Sequence, residues 1–154
     1  MDHSRRHFLK VSGGTAALTA AAAAGLVQSG PAAAAWNKAG FESKAVADAV
    51  KNLGATGAAE SKDIIITAPD IAENGAVVPI AVTSKLPNTQ SISIIAEKNP
   101  FPLAATFDVA NGADSYASVR IKLGQTSDVR AIVKAGGKFY TAAKEVKVTV
   151  GGCG

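Results

Sequence analysis

At 154 residues the chain has room for one ordinary domain and hardly for two. Its formal charge is +4, yet Arg5, Arg6, Lys10 and Asp2 all fall in the first 35 residues. Without that stretch, 13 basic and 11 acidic residues remain, a balance of +2 that makes no case for nucleic acid. The same stretch holds both histidines, His3 and His7. The remainder therefore has no imidazole for Ser-His or Cys-His catalysis, for a His-ligated metal or for haem.

The chain begins with a basic segment and an apolar, alanine-dominated run from about Val11 to Val27. Pro31 and the small residues Ala32–Ala35 follow. That order is expected of a cleaved export leader over residues 1–35, with the cut near Ala33 to Ala35. Gly13, Gly14, Thr15 and Thr19 interrupt the run, and alanine is driven only weakly into lipid, so a membrane anchor is the poorer reading. Ser4-Arg5-Arg6-His7-Phe8-Leu9-Lys10 resembles the twin-arginine leader at Ser4, Arg5, Arg6, Phe8, Leu9 and Lys10. The resemblance implies export in a folded state to a bacterial periplasm, with no membrane attachment after cleavage.

Residues 36–150 are expected to form the folded domain. Phe41, Ala45, Ala49, Val50 and Leu53 make one apolar stripe at helical spacing, predicting a single amphipathic helix over Phe41–Leu53 that ends at Gly54. Strand signals follow. They are the Ile64-Ile65-Ile66 run, Ala76–Ser84 after the Glu73-Asn74-Gly75 turn, and Ser91–Glu97 with Ile92, Ile94 and Ala96 on one face. Pro79 marks its strand as an edge or a bulge. Beyond Pro100 and Pro102, Phe107 and Val109 share a face. Val119, Ile121 and Leu123 alternate with Ser118, Arg120 and Lys122, and Val129, Ala131 and Val133 form the next stripe. Gly136-Gly137 reads as a hairpin turn into Lys138–Val150. About seven short strands of this kind predict an all-β, immunoglobulin-like sandwich with one N-terminal helix.

The last strand runs into Gly151-Gly152-Cys153-Gly154. Glycines have no side chain to pack and the widest backbone freedom, so residues 151–154 are expected to form a mobile arm that holds the thiol away from the domain. A thiolate attacks sulfur electrophiles and holds sulfur in a disulfide-like bond. No second cysteine and no base accompany Cys153. It reads as an attachment point whose reactions others catalyse, and no cofactor is called for. The alternative is a structural or interaction module whose cysteine only forms an intermolecular disulfide. Lys144 and Lys147 read as solvated strand charges. Trp36, Phe41, Phe101, Phe107, Phe139 and Tyr140 read as core or partner-contact residues, and Asp108, Asp114 and Asp128 lack metal-loop spacing.

The end Val146-Lys147-Val148-Thr149-Val150-Gly151-Gly152-Cys153-Gly154 resembles the C-terminus of the SoxY family, carrier subunits of the bacterial sulfur-oxidising system. The Glu73–Pro79 stretch, the Asn99–Pro102 stretch and the leader resemble it too. The resemblance implies that Cys153 is the carrier thiol and that Gly151, Gly152 and Gly154 form its arm. It implies a heterodimer with SoxZ, a second small β-sandwich. A c-type cytochrome complex would join thiosulfate to the cysteine, a hydrolase would release sulfate, and a sulfane dehydrogenase would act in systems that have one. The family usually has two glycines after the cysteine where this sequence has Gly154 alone. A carboxylate one residue nearer disfavours the thiolate and weakly repels anions.

Overall fold

The computed structural model describes residues 36–110 and 112–149, and the described residues from Asn37 onward cluster as one compact unit. The expected leader, including Ser4, Arg5, Arg6, Phe8, Leu9 and Lys10, lies outside the described residues. So do Val150, Gly151, Gly152, Cys153 and Gly154.

Two short helices, α1 (Lys38–Phe41) and α2 (Val46–Asn52), stand where the stripe predicted one. The break comes from local polar chemistry. Asn37 caps α1, its Oδ1 accepting from Gly40 N at 2.9 Å, and the buried Ser43 hydroxyl donates to the Ala39 carbonyl at 2.7 Å. Asn52 Nδ2 donates to Ala39 O and Ser43 Oγ, both at 3.0 Å, which ties the end of α2 back onto α1. Ala45 sits in extended backbone as the α2 N-cap and is exposed, so Val46 takes its expected place in the apolar stripe. Gly54 does end the helical segment, at φ +73°, where a side chain would be strained.

Nine strands follow among the described residues. They are β1 (Ala59–Glu60), β2 (Ile64–Thr67), β3 (Ile71–Ala72), β4 (Val78–Ser84), β5 (Thr89–Ala96), β6 (Leu103–Asp108), β7 (Tyr116–Ile121), β8 (Ser127–Ala135) and β9 (Lys138–Val148). One sheet runs β1-β9-β8-β5-β6, with β3 also on β9, and the other runs β2-β4-β7. This is the expected all-β sandwich. Alternation puts Ile80, Val82, Ile92, Ile94, Val129 and Val133 between the sheets with essentially no exposure. Each such side chain contributes about 1.5–3 kcal/mol by leaving water. Ile95, Leu103 and Ile132 face the other way and are covered, with Ala49, by the helical segment.

The Gly136-Gly137 hairpin forms as expected. Ala135 pairs with Lys138, and φ values of +55° and +77° suit the two-residue turn that matches strand twist. Pro79 departs from expectation, since β4 is central and not an edge. The reason is local: β2 ends at Thr67 opposite Ala81, so no strand extends along that side of Pro79, while β7 pairs with it at Arg120. The two-residue strands β1 and β3 carry too little pattern to be foreseen. Both run parallel to β9, with Glu60 opposite Thr141 and Ile71 opposite Lys147.

Gly75 joins the small sheet's entry to the end of β9. Its carbonyl accepts from Leu123 N at 2.7 Å. A Cβ there would strike the Leu123 carbonyl oxygen and come within 2.8 Å of Val148 Cγ1. Gly75→Ala must displace backbone, and it is expected to cost about 1–3 kcal/mol in urea unfolding. An unchanged midpoint would show that this contact is not tight.

Candidate functional site

Cys153 lies four residues beyond Thr149, the last described residue, so the structure defines the site from its root. The root is built by three elements. On the β3 side of β9, Lys147 N donates to Asp70 O at 3.0 Å and Thr149 N to Ala72 O at 3.2 Å. On the β8 side, Ser127 pairs with Val146, and Val148 N then donates to Thr126 Oγ1 at 3.0 Å. Successive amides are thus held from alternate edges up to Thr149. Val146 is fully buried, and half-buried Val148 packs on the intersheet core, so side chains fix the same segment from below.

The surrounding loops converge here. Asn74 Oδ1 accepts from Ala76 N at 2.9 Å, shaping the turn that carries Gly75. Asn99 Nδ2 donates to Lys122 O at 2.7 Å, and Lys98 N donates to Ser127 Oγ at 3.0 Å. The 73–77, 97–102 and 122–127 loops therefore share one end of the sandwich with the end of β9. Four residues span at most about 14 Å of backbone, which sets the distance from Thr149 to the Cys153 backbone.

Lys144 is engaged and is not a solvated charge. Its Nζ donates to Ala68 O at 2.7 Å and pairs with Asp70 at 3.0 Å. That pair fastens the β2–β3 connection to β9. Lys147 is exposed, as expected. Phe41, Phe107, Phe139 and Tyr140 are half-buried packing residues, whereas Phe101 is 52% exposed and Trp36 is also exposed. Among the described residues no three His, Cys, Asp or Glu side chains group as metal ligands, and no helix is long and apolar enough to cross a membrane.

A cleft of about 300 Å³ lies beside α2 over β8 and β9, lined by Val46, Val50, Ala55 and Ile132 among others. Arg130 on its wall is satisfied by Glu97, with Nε and Nη2 each 2.7 Å from Oε1. It offers neither a nucleophile nor an unpaired charge. The root of β9 is the better candidate.

This geometry defines a class: a two-sheet sandwich whose last strand is fixed along both edges and leads directly into a cysteine-bearing segment. The family model for the sulfur oxidation protein SoxY matches residues 50–153, and the chain belongs to the SoxY family. The sulfur carrier protein SoxY from Chlorobium limicola f thiosulfatophilum is 39% identical, with a TM-score of 0.60 over 68% of this chain and 96% of that one. Superoxide reductase (neelaredoxin) from Ignicoccus hospitalis is similar at 22% identity and a TM-score of 0.51, covering 62% of this chain and 90% of its own, a likeness of fold alone. No curated protein sequence gives a match.

The sequence singles out Cys153 through its flanking glycines, and that residue lies outside the described ones; it gives no sign of Thr126 and Ala72 as the groups that hold the end of β9. A lone threonine in a polar loop gives no signal before its partner amide is placed. Thr126→Val keeps the shape and removes the acceptor. It is expected to raise hydrogen exchange at the Val148 amide about fivefold or more, a loss of about 1 kcal/mol of local protection. Exchange at Val148 unchanged from the parent protein would count against a role for Thr126 in holding the root.

Proposed function

We propose that this protein carries sulfur intermediates of thiosulfate oxidation as covalent adducts on Cys153 and presents them to partner enzymes. One observation carries the reading: the SoxY family match extends through Gly151, Gly152 and Cys153 itself. The related structure, 39% identical, is described as a sulfur carrier.

The chemistry balances with the enzymes of such a system. The Cys153 thiolate and thiosulfate join through a new S–S bond, giving a cysteine S-thiosulfonate and two electrons for a c-type cytochrome complex. Water then cleaves the terminal S–S bond in a hydrolase, leaving a persulfide and releasing sulfate and two protons. A sulfane dehydrogenase oxidises the remaining sulfur where one is present. The carrier contributes the attachment atom and its position, and it is not itself an enzyme. A cysteine without a neighbouring base is mostly thiol at neutral pH, so an activating partner is the natural source of rate. A SoxZ-like β-sandwich is the proposed heterodimer partner.

The test mixes carrier, SoxZ-like partner, cytochrome complex and thiosulfate, and follows cytochrome reduction. Cys153→Ser should abolish thiosulfate-dependent reduction while still cosedimenting with the SoxZ-like partner. Its melting point should be unchanged. Intact masses of the parent protein should show adducts on the C-terminal peptide, where a disulfide cross-linker would show a dimer. Continued electron flow in the serine variant would sink the carrier reading.

Periplasmic location by the twin-arginine route is the second part of the proposal, supported by the Ser4–Lys10 string. Replacing Arg5 and Arg6 by Lys is expected to leave uncleaved precursor in the cytoplasm. Fractionation that finds normal periplasmic levels of this variant would overturn that route.

A further inference from the structure

The outer face of the small sheet is a single surface whose layout is set by strand register. In β2, β4 and β7 the alternate residues that include Ile64, Ile80 and Val119 turn into the intersheet core, so their neighbours turn outward. Pairing arranges those neighbours in rows. Ile65 stands beside Thr83 and Thr83 beside Tyr116. The next row is Thr67, Ala81 and Ser118, and Pro79 beside Arg120 completes the face. None of these residues is buried, and the two largest apolar ones, Ile65 and Tyr116, are 40% and 55% exposed.

Two features set this face apart from an ordinary solvated one. An antiparallel strand with one face in water alternates apolar with polar residues, but Ile64-Ile65-Ile66 is apolar on both sides, the pattern of a strand covered on both. The chain itself covers only the inner side. The second feature is charge. The face has no Asp, Glu or Lys, and Arg120 at one corner is its one charged group. The outer face of the large sheet bears Asp128, Arg130, Lys134, Glu145 and Lys147, and the helical segment already covers Ile95, Leu103 and Ile132 there. The exposed Ile71, Val77 and Phe101 lie in β3 and in loops, where no strand pairing joins them into a face.

We infer that the outer face of β2-β4-β7 is where the chain meets its β-sandwich partner, whose own sheet packs over Ile65 and Tyr116 and sets a carboxylate against Arg120. The inference rests on the heterodimer reading and adds the surface to it. Charge decides between occupants. Arg120 pairs with no carboxylate among the described residues, and the face offers none. A second copy placed here about a two-fold axis would present the same patch, bringing another arginine and no acid. A different chain can bring the acid. Sheets stack face to face with their side chains in contact, as the inner side of these same strands already does. The rows around Ile65 and Tyr116 form the apolar centre of such a contact. The roughly 800 Å² per partner of a stable interface takes in the polar surface around them.

The experiment measures the Kd between the carrier and the SoxZ-like protein by calorimetry, with sedimentation of the carrier alone beside it. The variants are Ile65→Asp, Tyr116→Asp and Arg120→Glu, with a milder double variant, Ile65→Thr and Tyr116→Ser, for the case in which a buried edge will not tolerate aspartate. Ile71→Asp and Phe101→Asp are the controls, being exposed apolar positions off this face. Each is first checked for a parent-like melting transition. Kd is expected to rise about tenfold or more in the Ile65, Tyr116 and double variants and to stay within about twofold in the controls. Arg120→Glu is expected to weaken binding at low ionic strength and to lose most of that effect at about 1 M salt, where charges are screened within about 3 Å. Parent-like binding by folded Ile65, Tyr116 or Arg120 variants, or an equal loss in the controls, overturns this surface and leaves the heterodimer reading intact. A dimer of the carrier alone that Ile65→Asp dissociates assigns the face to a second copy and overturns the inference as well. Parent protein that does not bind the SoxZ-like protein overturns the heterodimer reading and the surface together.

Discussion

Strand β9 is held along both backbone edges, and the placement of everything else at its end depends on that constraint. β8 covers one edge from Lys138 to Val146, and β1 and β3 cover parts of the other from opposite ends. A C-terminal strand with a free edge would fray, because its last amides would trade partners with water. Here the alternation of Asp70, Thr126 and Ala72 as acceptors carries order to Thr149. The Lys144–Asp70 pair, backed by the Ala68 carbonyl, holds the connection that supplies two of those three acceptors. Its geometric effect outweighs its electrostatic one, since Asp70 is 88% exposed and a solvated pair contributes little.

Four residues separate Cys153 from Thr149, so their backbones lie at most about 14 Å apart, and that limit is measured from a fixed point because the end of β9 is held. Gly75 serves the same end of the strand. With no Cβ, it lets the turn approach the Leu123 carbonyl and the Val148 side chain, so the small sheet braces the end of the large one. Both sheets thus meet at the end of β9.

The strands that alternate, β4, β5, β7, β8 and β9, were legible in the sequence because one face of each meets the intersheet core. The hairpin was legible because two adjacent glycines supply two positive φ values. What escaped was structure set by a distant partner. β1 and β3 are two residues long, and only β9 makes them strands. The single helix failed because Ser43 and Asn52 recruit backbone carbonyls that a continuous helix would have used itself. Pro79 misled because the rule asks whether a neighbour needs its missing donor. The sequence does not say where β2 stops. At the site, the glycines draw attention to Cys153, whereas Thr126 and Ala72 hold the end of β9 through backbone-directed contacts that leave no pattern in the sequence.

On the proposed carrier reading, what the described residues contribute is position. Beyond residue 35 there is no histidine, and the described acidic residues form no metal-binding group. What these residues do supply is a strand end held at successive amides by Asp70, Thr126 and Ala72. Those hydrogen bonds run between backbone groups and one threonine hydroxyl, so a reaction at Cys153 would leave them intact, and the strand end would stay the same fixed point whatever the cysteine carried.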